Sequence, residues 1–309
     1  MALTLHQTPD SYTPSDNPVT WTFSSTNTAE DNFFYQIIVY VNDAPVSVEQ
    51  VLPESGIYAK FDASAWASNA CNIPAISNDL VVDAENYADI KINITEVYGD
   101  PLTEDDTTTT ANITTWKARI DDESFGDWNE DLYVLGSGGL TQFLTQFPTT
   151  SNPLVSMTEQ MRLMLINNFE AFEMLITLYD ADGVEIANDT YIVDTSSMQI
   201  LMLRVDPYIL INDTSLTETN FDDSTYYTVE MDGETEIYRI DIDRNCTYRT
   251  YKRIHFMSRI GAIESFSFGL ISRVKGSIKS FGYKKAHGEW LGSQFNYEDS
   301  QGRDIDFTK

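Results

Sequence analysis

Histidine is almost missing from this chain: His6, His255 and His287 are the only three in 309 residues. Imidazole is the usual proton shuttle and zinc ligand, so three scattered copies argue against a histidine-based active site or zinc centre. Cysteine is scarcer still. Cys71 and Cys246 lie far apart in sequence and read as two reduced thiols rather than a disulfide framework. Cations are few, with 19 Lys and Arg against 48 Asp and Glu, a formal charge of −29. A field of that sign repels phosphate, which argues against nucleic acid or an anionic membrane as the partner of most of the surface. No run of 18 apolar residues occurs, and the opening MALTLHQTPD lacks a basic stretch followed by an apolar one. Neither a membrane span nor a cleaved secretory signal is expected. G-x-S-x-G, H-E-x-x-H, C-x-x-C and D-F-G are all missing, and Gly136-Ser137-Gly138-Gly139 has no phosphate-loop context, so it reads as a flexible loop. The expectation is a protein that is not an enzyme and carries no metal or cofactor.

What the chain does hold is short β-type segments. Hydrophobic residues make up 42% and aromatics 12%, enough for a packed core. Val19, Trp21 and Phe23 alternate within Pro18 to Ser25, the pattern of a half-buried strand. Phe33 to Val41 is rich in aromatic and β-branched residues and ends at an Asn42-Asp43 turn. Ser47 to Leu52, Gly56 to Phe61 and Ile90 to Tyr98 continue the series. The polar run Gly99 to Thr110 then reads as a linker. Ala111 to Ile120, Gln199 to Val205 and Ile209 to Ile211 are further strands. Leu175 to Tyr179 and Val184 to Ile186 form a hairpin about Asp180-Ala181-Asp182-Gly183. Ser156 to Ile176 fits either a helix capped by Ser156 and Glu159 or two strands broken at Asn167-Asn168, and its β surroundings favour strands. After a polar stretch from Asn212 to Ser224, Tyr226 to Met231 and Glu234 to Ile242 flank Asp232-Gly233. Arg253 to Phe256 and Ser265 to Phe268 close the series about a turn at Gly261.

These segments predict a mainly β protein of two or three tandem immunoglobulin- or fibronectin-like β-sandwich domains, at 1–100, 111–212 and 220–309. The hairpins Phe33 to Glu49 and Phe172 to Ala187 share a pattern that a duplication would produce.

Charge divides the chain. Residues 1–245 hold 42 acids and 8 bases, a balance of −34; residues 246–309 hold 6 acids and 11 bases, a balance of +5. The simpler reading is a C-terminal domain with an ordinary surface beside a body kept acidic for solubility. The functional reading is docking of the basic end on a neighbouring copy's acidic face, a heterologous contact that yields rings or filaments. Lys252, Arg253, Arg259, Lys279, Lys284 and Lys285 are the candidate docking residues. Elsewhere, Asp180, Asp182 and Glu185 have oxygen ligands for Ca²⁺, but Tyr191 stands where an EF-hand needs its glutamate, and a plain turn explains them better. Asp241 and Asp243 share one strand face and read as a solvated pair.

Three groups of residues carry a resemblance. Gln7, Pro9, Tyr12, Pro14 and Asn17-Pro18-Val19 run into Trp21, Phe23 and Ser25, followed by Phe34 to Val41. Phe143-Leu144-Thr145 stands before Pro148. Arg253-Ile254-His255-Phe256-Met257-Ser258-Arg259-Ile260-Gly261 leads to Phe266 and Phe268. In order and spacing the set resembles virion structural proteins of tailed bacteriophages infecting Bacteroidota, including crAss-like phages. Where that pattern has Asn and Leu, this chain has Ser258 and Ile260. The resemblance implies a non-enzymatic tail, neck or head-surface component in the virion, a homo-oligomer or ring with other virion proteins as partners. It transfers no catalytic residue. A β-sandwich module that binds a glycan or host receptor is the alternative, since 17 Tyr and 5 Trp offer stacking faces.

Overall fold

The structure, a computed structural model, describes residues 3–54, 56–74, 77–121, 125, 128–136, 141–146, 152–167, 171–193, 199–231, 235, 237–243, 252–268, 289–291 and 294–296. It is mainly β, and its strands gather in several sheets. Two compact units form, each from separated stretches of chain: unit 1 from 1–71, 88–128 and 274–309, unit 2 from 72–87 and 129–273.

The first strands are β1 (Leu3–Gln7), β2 (Tyr12–Pro14), β3 (Thr20–Ser25), β4 (Phe34–Val41), β5 (Ala44–Val51) and β6 (Tyr58–Asp62). After β7 (Val81–Asp83), which belongs to unit 2, come β8 (Tyr87–Tyr98), β9 (Thr103–Thr109) and β10 (Ile113–Trp116). In unit 1, the sheet β1-β3-β6 shares one core with the sheet β2-β10-β8-β4-β5. Trp21 and Phe23 from the first sheet meet Tyr35, Ile37, Val39, Ile90, Ile92 and Ile94 from the second. Phe23 packs edge-on to Tyr35 with ring centroids 4.8 Å apart. Burying each of these side chains contributes about 1.5–3 kcal/mol before entropy is subtracted. β3 is more than a half-buried strand: as the central strand of its sheet it also buries Thr20, Thr22 and Ser24.

The Asn42-Asp43 turn is tight because both residues adopt positive φ (49° and 63°), the geometry of a two-residue hairpin. Asn42 Oδ1 accepts from the Asp89 N–H at 2.9 Å, tying the turn to β8. Most of the expected linker at 99–110 is instead strand β9, Thr103–Thr109, paired antiparallel with β8. The expected domain boundary near residue 100 therefore falls inside one sheet. The reason is that threonine is β-branched: Thr95 and Thr107 face each other across β8 and β9, their hydroxyls 3.0 Å apart.

Unit 2 continues with β11 (Leu154–Val155), β12 (Arg162–Ile166), β13 (Phe172–Tyr179), β14 (Glu185–Val193), β15 (Ile200–Arg204), β16 (Tyr226–Met231), β17 (Tyr238–Ile242), β18 (Lys252–Met257) and β19 (Ile263–Phe268). A short pair assigned to unit 1, Glu289–Leu291 with Gln294–Asn296, completes the described strands. The sheet β11-β17-β16-β13-β14 shares its core with β12-β15-β7. Ser156 to Ile176 is thus two strands. Ser156 and Glu159 do bond each other as in a capping box, with Ser156 N–H donating to Glu159 Oε2 at 3.0 Å, but the turn feeds β12 rather than a helix. β12 and β15 are buried along their whole length, because the β18–β19 hairpin adds to the cover: Ile263 N–H reaches Met164 S at 3.2 Å.

The Asp180–Gly183 turn forms as expected. Asp180 Oδ1 accepts from the N–H groups of Asp182 (2.9 Å) and Val184 (2.8 Å), and Gly183 supplies φ of +79°. Gly261 turns β18 into β19 at φ +87°. The expected strand at Ile209–Ile211 is a helix, Pro207–Asp213, because Asp206 caps the Ile209 N–H and Pro207 opens the first turn. The polar stretch that follows holds a second helix, Glu218–Asp223, with a Thr217/Asn220 capping box. The Asp232-Gly233 turn and the Ser137-Gly138-Gly139 part of the glycine-rich run lie outside the described residues, although β16 and β17 do pair antiparallel.

Candidate interaction surface

β5 ends the larger sheet of unit 1. It pairs with β4 alone among the described strands, so its outer row of backbone N–H and C=O groups is available to another strand. Side chains alternate along it. Ser47, Glu49 and Val51 are half-buried, whereas Val46 (50% exposed), Val48 (58%) and, just beyond, Leu52 (66%) face outward. Opposite them on β4, Ile38 stands against Val48 and Gln36 against Gln50. Glu49 is the strand's single charge, and Ser47 Oγ donates to it at 2.5 Å. A low-charge apolar strip thus lies at an edge that the described strands leave unpaired, in a chain carrying −29.

At the Leu52 end of the strip lies an open groove of about 530 Å³ lined by Asn32, Phe33, Phe34, Gln50, Leu52, Gly99, Asp100 and Leu102. Phe33 is buried against Tyr35 (4.9 Å between centroids) and stacks on Tyr98 at 6.2 Å, so Phe34, Leu52 and Leu102 form its apolar surface. The Tyr98 hydroxyl donates to Asp105 at 2.7 Å, which pushes its pKa up to about 12.

The basic segment is placed only in part. Lys279, Lys284 and Lys285 lie outside the described residues, as does the side chain of Lys252. Arg259 is exposed in the turn before Gly261. Arg253 is turned inward: its Nη1 donates to Leu154 O at 3.1 Å and to Glu159 Oε2 at 3.3 Å, with 7% of the side chain exposed. It serves the interior of unit 2 and is unsuited to docking.

Arg253 belongs to a buried charged cluster. Arg162 and Arg204 are direct cross-strand partners on β12 and β15, a like-charge placement that destabilises unless it is compensated. Arg204 is compensated. Its Nε and Nη2 clasp Asp206 at 2.8 and 2.9 Å, and its Nη1 reaches Asn78 O at 2.9 Å. Among the described residues Arg162 has neutral acceptors only, Gln160 Oε1 at 2.8 Å and Ser77 O at 3.0 Å, both on Nη2. Burial first, then the neighbouring Arg204 and Arg253, pull the Arg162 pKa down, with Asp206 opposing. His255 is likewise held below its ordinary value, by burial, Arg162 and Arg253, with Glu159 opposing. A cation inside an apolar run, as in Gln160-Met161-Arg162-Leu163-Met164 and Leu203-Arg204-Val205-Asp206, is the sequence signal for this cluster. Sequence reasoning passed over it.

The remaining candidates are accounted for locally. Asp180 is occupied by its own turn, Glu185 Oε1 accepts from Asn188 at 2.5 Å, and no three His, Cys, Asp or Glu side chains are placed to hold a metal ion among the described residues. Asp241 pairs with Arg239 at 2.8 Å. Arg239 in turn lies 3.7 Å over the Tyr226 ring, which stacks on Tyr179 at 5.0 Å. Cys71 is a free, buried thiol donating to Thr115 O at 3.3 Å, and burial raises its pKa; Cys246 lies outside the described residues.

No family model and no curated protein matches the chain. Among solved structures it is similar to one described as "Putative membrane anchored protein" from Corynebacterium diphtheriae, at 11% identity over 78% of this chain. The chain spans 57% of that protein, and the TM-score is 0.25, too low to bear on function or on fold.

Proposed function

We propose that this chain is a non-enzymatic structural component of a tailed-phage virion, built into a tail, neck or ring assembly through protein–protein contacts. The observation that supports this reading is the β5 edge with its apolar strip at Val46, Val48 and Leu52. Its occupant is β5 of a second copy. Two copies at −29 each repel over most of their surfaces, so they approach where charge is lowest, and a strand with one acid meets that requirement. Antiparallel pairing about Val48 would extend the sheet across a two-fold axis and cover both strips. A heterologous contact of Lys252, Arg259, Lys279, Lys284 and Lys285 with a neighbour's acidic face would add rings or filaments to that pairing. The virion setting rests on the resemblance carried by the three ordered motifs, the last of which runs through β18, the Gly261 turn and β19.

Quantitative mass spectrometry of purified particles of a phage encoding the chain tests this directly. A fixed copy number in every preparation is expected; absence from particles contradicts it. A second reading, a glycan- or receptor-binding module, draws on the groove, where Asn32, Gln50 and Asp100 surround Phe34 as polar groups surround a stacked sugar. Glycan-array binding by a stable monomer would favour it.

A further inference from the structure

We infer that unit 2 contains an oxyanion site at Arg162, taking a small phosphate-like or carboxylate anion. Three guanidinium groups, Arg162, Arg204 and Arg253, share the interior with two carboxylates, Asp206 and Glu159. Those two carboxylates are engaged by Arg204 and Arg253, leaving one positive charge without a counter-ion among the described residues. Arg162 is 4% exposed, and its Nε and Nη1 groups have no acceptor among the described residues. An uncompensated cation is costly to bury, and an oxyanion that displaces the Gln160 amide from Nη2 completes a bidentate fork there with the open Nε–H or Nη1–H group.

Among the described residues, neutral groups alone hold the Arg162 guanidinium. Nη2 is held by the Gln160 amide and the Ser77 carbonyl, and the Gln160 Nε2 reaches only the exposed Asn78 side chain, at 3.4 Å. Displacing the Gln160 amide costs a neutral hydrogen bond and replaces it with charge-assisted ones. The site is independent of the virion reading, because Arg162 lies inside unit 2 and takes no part in the β5 edge of unit 1.

The test is thermal unfolding of the full chain followed by circular dichroism in sodium phosphate, with sodium chloride at matched ionic strength as reference. Phosphate at about a hundredfold above its Kd should raise the wild-type Tm by roughly 5–10 °C over chloride, saturably. Gln160→Glu should supply the anion from within, raising the Tm in chloride and removing the phosphate increment. Arg162→Met should also remove the increment and melt no lower than wild type in chloride. The site is refuted if phosphate acts on wild type no differently from chloride, or if either variant keeps the full increment. A wild-type titration by calorimetry with no saturable heat would refute it equally, whether or not the variants fold.

Discussion

Asp206→Ala is the perturbation with the largest consequence that can be worked from named contacts. The carboxylate is fully buried, clasps Arg204 through two bonds of 2.8 and 2.9 Å, and caps the Pro207–Asp213 helix through the Ile209 N–H at 3.3 Å. Removing one partner of a buried ion pair costs about 3–5 kcal/mol, because the other charge stays behind unpaired. Here that charge is Arg204, which sits opposite Arg162 on the neighbouring strand. Loss of the cap adds about 1 kcal/mol. The sum, about 4–6 kcal/mol, corresponds to a fall in Tm of roughly 10–20 °C for a unit of this size. Removing both charges, Asp206→Asn with Arg204→Met, should recover most of the loss, since Arg204 then leaves no unpaired charge and no longer faces Arg162. The assay is a thermal or urea transition followed by far-UV circular dichroism and by tryptophan emission. All five tryptophans belong to unit 1 (Trp21, Trp66, Trp116, Trp128 and Trp290), so a shift seen in dichroism and not in emission locates the damage in unit 2. A loss below about 1 kcal/mol, or no recovery in the double variant, would refute the reasoning.

Glu264 should set a pH dependence of the opposite sense to an ordinary surface carboxylate. Burial raises its pKa, opposed by the Gln146 N–H and Thr145, so the folded chain favours the protonated form and loses stability as pH rises from the ordinary carboxylate range through the raised value. Glu264→Gln, neutral throughout, should match wild type near pH 4 and melt higher at pH 8; a gap that narrows with rising pH contradicts this. Gly183→Ala forces a side chain into φ +79° and brings its Cβ to 3.5 Å from the Tyr226 hydroxyl, so it should cost about 1 kcal/mol in urea denaturation; no change would mean the turn relaxes. Lys284→Glu with Lys285→Glu should weaken assembly most at low salt, and unchanged assembly across ionic strengths would remove basic-to-acidic docking from the account.

Much of the β framework was legible from pattern alone. Phe34–Val41, Tyr226–Met231 and the Asp180–Gly183 hairpin follow from alternation, β-branching and a positive-φ glycine, which act locally. Two failures share a cause. Gly99 to Thr110 reads as a linker because its acids and threonines are polar, but Thr103–Thr109 takes its strand identity from pairing with β8. Ile209–Ile211 looked like a strand because three apolar residues outweighed the Asp206-Pro207 start signal. The mixing of stretches between units, with β7 entering the β12-β15 sheet from far upstream, leaves no trace in local composition. Of the interaction surface, the β5 strand was visible but its position at the sheet edge was not, since strand order is a tertiary fact. Charge totals place Arg253 among the surface cations but say nothing of which face a strand turns inward.

The most direct measurement of the central claim is the molar mass of the purified chain by light scattering across a range of concentrations, beside Val48→Lys. The valine is 58% exposed, so lysine leaves the fold intact while placing two like charges together at the centre of a β5–β5 pair. Wild-type mass should rise to multiples of 35.0 kDa and the variant should stay at 35.0 kDa. Wild type holding at 35.0 kDa at every concentration, or the variant assembling equally well, would contradict that pairing.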